Sequence, residues 1–342
     1  MVNISKQHGT LAVRFRPSTF EDLCEQKSIV DILMYQIEND CPKNAYLFTG
    51  PAGCGKTTSA RILANALNKG KGSPIEKDAA RNNGVDKIRT IIDEAGFQSL
   101  DSKYKIFILD EAHMITTEGW NGMIKIIEEP PKNTIFIFCT TDPQKIIPTV
   151  LSRVQRFDFQ RITLGTIISR LEYILAQEDW SNYTIEAIEF IARMANGGMR
   201  DAISLLEKCM DYSPAITVES VVEALGYIDY DTLYEIVLAL KEKNVGDLIT
   251  HIENVYMAGV DVKFLIKQLL AFVLDLCTYS NLRNFKYVNV PEEYKDKLDY
   301  LTDNCSSAPK QLLKDLVELD NKLRFETNPK LLLESSMVVL CN

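Results

Sequence analysis

Along the first half of the chain, short continuous apolar runs alternate with stretches whose apolar residues recur every three or four positions. Residues 45–48, 104–109 and 134–139 are apolar enough to be strands covered on both faces, and 157–159 offers one more short strand. Between them, Ala60, Leu63, Ala64 and Leu67 fall at i, i+3, i+4 and i+7, one face of a helix. Helices are likewise predicted at 28–38, 85–95 and 119–129, the last stopped by Pro130-Pro131, with a short one at 148–153. Strands alternating with helices predict an α/β fold around a parallel sheet. From Gly165 the strand pattern ceases. Helical stretches follow at 165–177, 184–195 and 199–210, and 218–225 closes this small bundle. Residues 230–342 read as almost wholly helical, with amphipathic spans near 230–242, 245–258, 261–283 and 308–324.

The loops at the strand ends carry the chemistry. After the 45–48 strand comes Thr49-Gly50-Pro51-Ala52-Gly53-Cys54-Gly55-Lys56-Thr57-Thr58, a G-x-x-x-x-G-K-[ST] pattern (Walker A) set between strand and helix. Glycines let the backbone curl closely enough for its N–H groups to reach phosphate oxygens, and the following helix N-terminus adds partial positive charge. Lys56 is predicted to reach the β- and γ-phosphates, and Thr57 to place its hydroxyl on Mg²⁺. The 104–109 strand ends in Asp110-Glu111-Ala112-His113, a Walker B pattern. It delivers Asp110 to the Mg²⁺ shell and Glu111 to the attacking water. Asp-Glu-Ala-His also occurs in a class of helicases, but the arginine-rich motif of a second motor domain does not follow, so His113 reads as structural or coupling. The 134–139 strand ends in Thr140-Thr141-Asp142-Pro143, polar groups placed to sense a γ-phosphate.

Composition narrows the setting. The chain has 342 residues, 46% hydrophobic and 25% charged, ordinary for a soluble globular protein and enough for two or three domains. No run of about 18 apolar residues is present and residues 1–6 lack an apolar signal core, so a cytoplasmic address and no membrane contact are expected. Eight cysteines lack any C-x-x-C pair and are expected to be reduced thiols. The three histidines, His8, His113 and His251, are widely separated. The net charge of −9 means that any nucleic-acid contact must use a local basic surface.

Taken together these residues resemble the AAA+ ATPase subunits of DNA sliding-clamp loaders, nearest to the bacterial DNA polymerase III gamma/tau subunits. The resemblance is dense over 11–210 and loose over the helical tail. It is carried by Phe15-Arg16-Pro17, Thr19-Phe20-Glu21-Asp22 and Gln26, by Asp78-Ala79-Ala80 with Asn82-Asn83-Gly84-Val85-Asp86, and by Leu109-Asp110-Glu111-Ala112-His113. Ile126-Ile127-Glu128-Glu129-Pro130-Pro131, Thr140-Thr141-Asp142-Pro143-Gln144-Lys145, Leu151-Ser152-Arg153 and Gly198-Met199-Arg200-Asp201-Ala202 complete it.

The resemblance implies an AAA+ P-loop NTPase domain with a parallel sheet (1–162), a helical lid (163–227) and an all-α collar for oligomerisation (228–342). It implies ATP and Mg²⁺ as ligands, with Ala12, Arg16 and Pro17 lining the adenosine pocket, Thr141 as sensor 1 and Arg200 as sensor 2. Arg153 would complete the ATP site of a neighbouring subunit; Val154 stands where the family has cysteine. Implied partners are other loader subunits in a pentameric assembly, a sliding clamp, and primer–template DNA touched through its phosphates. Arg81, Lys87, Arg89 and Lys145 are the candidate DNA contacts. Two departures from the family pattern matter. Residues 68–77 hold no cysteine where bacterial relatives carry a four-cysteine zinc module, so no zinc is expected. No tau-like extension follows the collar, so a compact loader is expected. The rival readings are a non-catalytic loader subunit, or another AAA+ machine such as a branch-migration motor or helicase loader.

Overall fold

A computed structural model describes residues 9–99, 101–290, 292–302 and 308–341; His8 and Cys305 lie outside them. The chain forms two compact units, Met1–Val221 and Val222–Asn342.

The first unit opens with α1 (Leu11–Arg14) and α2 (Lys27–Glu38), then alternates strand and helix. β1 (Ala45–Thr49), α3 (Lys56–Leu67), β2 (Ile75–Asp78), α4 (Val85–Ala95), β3 (Lys105–Asp110) and α5 (Thr117–Glu128) come first. β4 (Thr134–Thr140), α6 (Pro148–Leu151) and β5 (Gln155–Asp158) follow. The strands form one parallel sheet in the order β2-β3-β4-β1-β5. β4 therefore lies between the strand that precedes the glycine-rich loop and the strand that ends in Asp110.

Successive side chains of these strands point to opposite faces, and each face is covered by helices. Tyr46, Phe48, Ile106, Ile108 and Ile137 pack with Leu33 of α2 and Leu63 of α3. Leu47, Phe107, Leu109, Phe136 and Phe138 pack with Ile88 of α4 and Trp120 of α5. Leu63 is fully buried, so truncating it to alanine should cost about 2–5 kcal/mol and loosen the helix that begins at Lys56.

β2 is a strand that the apolar pattern does not announce. It is a four-residue edge strand, Ile-Glu-Lys-Asp, whose residues are half-buried and exposed in alternation and whose one recorded ladder runs to β3. β5 begins two residues before the apolar Phe157 because Gln155 and Arg156 pair with Tyr46 and Leu47 across one side only. Three further helices, α7 (Leu164–Gln177), α8 (Ile185–Met194) and α9 (Met199–Tyr212), form a bundle on Leu171, Ile188, Ile191 and Leu206, and α1 packs against α9. α10 (Val218–Leu225) crosses the boundary between the two units.

The second unit contains α11 (Tyr230–Lys241), α12 (Val245–Met257), α13 (Val262–Leu282), α14 (Lys295–Thr302), α15 (Ala308–Leu323) and α16 (Pro329–Cys341) around one apolar core. α14 and α16 lie where the sequence reading placed no specific span. Among the described residues, no helix is long and apolar enough to cross a membrane.

Candidate nucleotide site

The site sits at the carboxyl ends of β1, β3 and β4, where open parallel sheets take their ligands. The loop 50–55 leaves β1 and feeds directly into α3, whose first-turn N–H groups have no partner within the helix. Two glycines are required by space as well as by conformation. Gly50, at φ +142°, would bring a Cβ to 2.4 Å from the Phe159 carbonyl oxygen. Gly53, at φ +71°, would bring one to 2.9 Å from Gly198 Cα, at the start of α9. The Met199 amide donates to the Gly53 carbonyl at 3.0 Å.

Lys56 is buried, and its ammonium donates to the carbonyls of Gly50 (2.8 Å) and Pro51 (2.7 Å). The Thr57 hydroxyl donates to Asp110 Oδ2 at 2.8 Å, while Asp110 Oδ1 accepts from the Glu111 amide at 3.0 Å. Glu111 holds a left-handed backbone, φ +49°, that costs an ordinary residue about 1–2 kcal/mol. Its Oε2 accepts from the Thr141 hydroxyl at 3.4 Å and lies 3.3 Å from His113 Nδ1. Burial pushes the thiols of Cys54 and Cys139 up, Cys139 well above its ordinary value.

The cleft beside the loop is lined by Ala12, Arg16 and Pro17 from the N-terminal segment, by residues 53–58, and by Arg200 across from them. Its wall also includes Phe15, Leu23, Cys24, Ile162, Arg170, Met199 and Ile203, none of which the sequence assigned to the nucleotide site, although Phe15 and Met199 belong to the motifs quoted above. Arg170 illustrates why. It lies mid-helix in α7 and matters because its guanidinium donates to the Phe15 carbonyl at 3.0 Å, a pairing 155 positions apart. Gly50, Pro51 and Ala52 do not line this cleft; the Gly50 and Pro51 carbonyls turn onto Lys56.

The N-terminal segment is tied to the helices beyond the sheet. The Leu11 amide donates to Glu207 Oε1 at 2.9 Å, and Arg14 pairs with Glu178. Gln26 exchanges hydrogen bonds with the Gln160 backbone at 2.8 and 3.1 Å. Glu25 accepts from the amide and hydroxyl of Thr163 and from the Thr166 hydroxyl. Burial works to raise the Glu25 carboxyl, but these hydrogen bonds outweigh it and hold the group below its ordinary value.

Arg153 stands elsewhere. It pairs with Glu128 and lines a separate hollow with Lys43, Asn44 and Gln155, at the amino end of β1. The glycine loop follows the other end of that strand, about 16 Å along at 3.3 Å per residue. Arg153 is not brought to its own chain's phosphate loop.

Arg81, Lys87, Arg89 and Lys145 are all exposed and come from the segments that follow β2 and β4, the strands flanking β3. Arg81 faces Asp78 (3.7 Å), Arg89 faces Asp86 (3.5 Å) and Lys145 faces Asp142 (3.3 Å), surface pairs worth little in water. Among the described residues, no cluster of three or more His, Cys, Asp or Glu could hold a metal ion on its own.

Three family models match consecutive parts of the chain. "DNA polymerase III, delta subunit" matches residues 73–163, "DNA polymerase III clamp loader subunit, ATPase lid domain" matches 166–213, and "DNA polymerase III subunits gamma and tau domain III" matches 216–314. The chain is 34% identical to DNA polymerase III subunit tau of Bacillus subtilis, covering 96% of this chain and 62% of that protein. It is 30% identical to the tau subunit of Escherichia coli, covering 78% of this chain and 45% of the relative. The chain thus spans about three fifths or less of the length of these relatives. Among solved structures, the Thermotoga maritima RuvB Holliday junction branch migration motor aligns with a TM-score of 0.53 at 17% identity, over 66% of this chain and 79% of that one. That likeness is one of fold.

Proposed function

The chain belongs to the DNA polymerase III gamma/tau family of clamp-loader subunits, and from that membership we propose that it is the ATP-hydrolysing motor subunit of a DNA sliding-clamp loader. The observation that carries the reading is the 2.8 Å contact between Thr57 Oγ1 and Asp110 Oδ2. It brings two hard oxygen donors together at the mouth of a phosphate-cradling loop, a set that suits Mg²⁺ travelling with a nucleoside triphosphate. When bound, Mg²⁺ neutralises charge on the β- and γ-phosphate oxygens.

The chain's own residues divide the remaining work. Backbone N–H groups of residues 53–58 and the Lys56 ammonium hold the polyphosphate. Ala12, Arg16 and Pro17 enclose the adenosine. Glu111 accepts a proton from the water that attacks the γ-phosphorus, with Thr141 beside it, and Arg200 approaches the phosphates from the lid. Arg153, seated at the far end of β1, acts on the nucleotide of an adjacent subunit.

On this reading 1–162 is the nucleotide domain, 163–227 the lid and 228–342 the collar through which five subunits assemble. ATP binding lets the assembly grip and open a ring-shaped clamp. Primer–template phosphates then meet Arg81, Lys87, Arg89 and Lys145 and trigger hydrolysis. The protein works in the cytoplasm without zinc and has no polymerase activity of its own. Measuring ATP turnover with and without clamp and primed DNA tests the proposal: turnover should rise when both are present. An intact assembly whose turnover ignores both would overturn it.

A further inference from the structure

We infer that His113 is a positioning residue for Glu111, tying the water-activating carboxylate to the tip of β4 through one ring nitrogen. The inference rests on the ATPase reading above and adds a residue to it.

His113 Nδ1 lies 3.3 Å from Glu111 Oε2 and 3.1 Å from Thr140 Oγ1. An unprotonated Nδ1 would set a lone pair against a carboxylate, so the geometry assigns the proton to Nδ1, which donates to Thr140 Oγ1 while its edge faces Glu111 Oε2. Thr140 is fully buried on β4, and its hydroxyl oxygen also accepts from the Asp142 amide at 3.0 Å. The histidine is thus fixed from behind by the strand whose next residue, Thr141, donates to the same Glu111 oxygen.

Both contacts fall on Oε2, and among the described residues Oε1 takes no hydrogen bond. The Thr141 hydroxyl's hydrogen bond and the polar edge of the His113 ring meet the same oxygen, orient the carboxylate and leave Oε1 as the oxygen that receives the water's proton. The left-handed backbone at Glu111 fits this account, since strained conformations persist where the surroundings over-determine them. His113 itself touches no reacting atom. It acts through Glu111, and it links that residue to the β4–α6 segment carrying Lys145.

The test exploits the two ways of replacing an imidazole. In His113→Asn the amide nitrogen falls near the place of Nδ1, whereas in His113→Gln it falls near Nε2. Steady-state ATP turnover and ATP affinity are measured for both, for His113→Ala, and for the parental and Lys56→Ala proteins in the assembled state. The expected result is parental ATP affinity in all three His113 variants, near-parental turnover for His113→Asn, and kcat down about 10–10²-fold for Gln and Ala, the scale of a catalytic group misplaced by about an ångström. Parental turnover in His113→Ala, or an equal loss in Asn and Gln, overturns the inference. Should the alanine variant not fold, the Asn–Gln contrast decides alone. Failure of the ATPase reading looks different: the parental protein would then turn over ATP no faster than Lys56→Ala.

Discussion

The Met199 amide donates to the Gly53 carbonyl at 3.0 Å, so α9 hangs directly on the glycine-rich loop. No side chain intervenes, and the two backbones are so close that a methyl group on Gly53 would reach 2.9 Å from Gly198 Cα. Whatever shape the loop takes around a ligand is therefore felt at the start of α9, one residue from Arg200.

Gly53→Ala should both strain the loop and push α9 away. The left-handed backbone alone costs about 1–2 kcal/mol, enough for roughly a tenfold loss of ATP affinity if it falls on the binding-competent form. Titration calorimetry and a melting curve of the same sample check this; both affinity and melting temperature should fall.

Lys56→Ala removes the one cation seated within the loop. ATP affinity should fall by at least about 10²-fold, as expected for a charged partner of a desolvated polyphosphate. Unchanged affinity in calorimetry would remove the phosphate-site assignment.

Glu111→Gln keeps the shape of the side chain and removes its basicity. Binding should persist while turnover drops about 10²–10⁴-fold, the usual share of a general base. A variant that hydrolyses at the parental rate would show that another group takes the proton.

Arg153→Ala should bind ATP normally and lose clamp- and DNA-stimulated turnover, by about 10³-fold or more if it stabilises the transferring phosphoryl group from outside. Mixing it with Lys56→Ala subunits should restore part of the rate, since each variant supplies what the other lacks. Full stimulated turnover in Arg153→Ala would end the trans assignment.

Glu25 predicts an acid limb. Its folded-state carboxyl lies below the ordinary 4.5, so its contribution is whole above that value and is lost as pH falls through the lowered one. Denaturant unfolding of the parental protein should therefore weaken on acidification below about pH 4.5, and Glu25→Gln should show a shallower decline.

Much of this was legible in the chain because it is local. A glycine loop between an apolar run and a periodic one, and an acidic pair at the end of another apolar run, announce themselves within ten residues. What stayed hidden is carried by distant pairs. Arg170 with Phe15, Gln26 with Gln160 and Glu25 with Thr163 join positions more than a hundred residues apart, and nothing in the sequence around either partner announces the contact. β2 escaped for a different reason. An edge strand with one apolar residue in four satisfies its backbone through β3 and needs no apolar run of its own. His113 was visible as a residue but not as a contact, since Thr140 lies 27 positions away at the end of β4.

The placing of Arg153 at one end of β1 and of the glycine loop at the other has a consequence for stoichiometry. Under the proposed trans role each chain supplies two unlike halves of a site, so sites are counted by junctions and not by chains. An open row of such subunits has one fewer complete site than it has members, and its two ends differ: one holds nucleotide without an arginine, the other an arginine without a nucleotide to meet. A spiral built this way carries a direction and a gap from the outset, and closing it would change its catalytic capacity by one whole site.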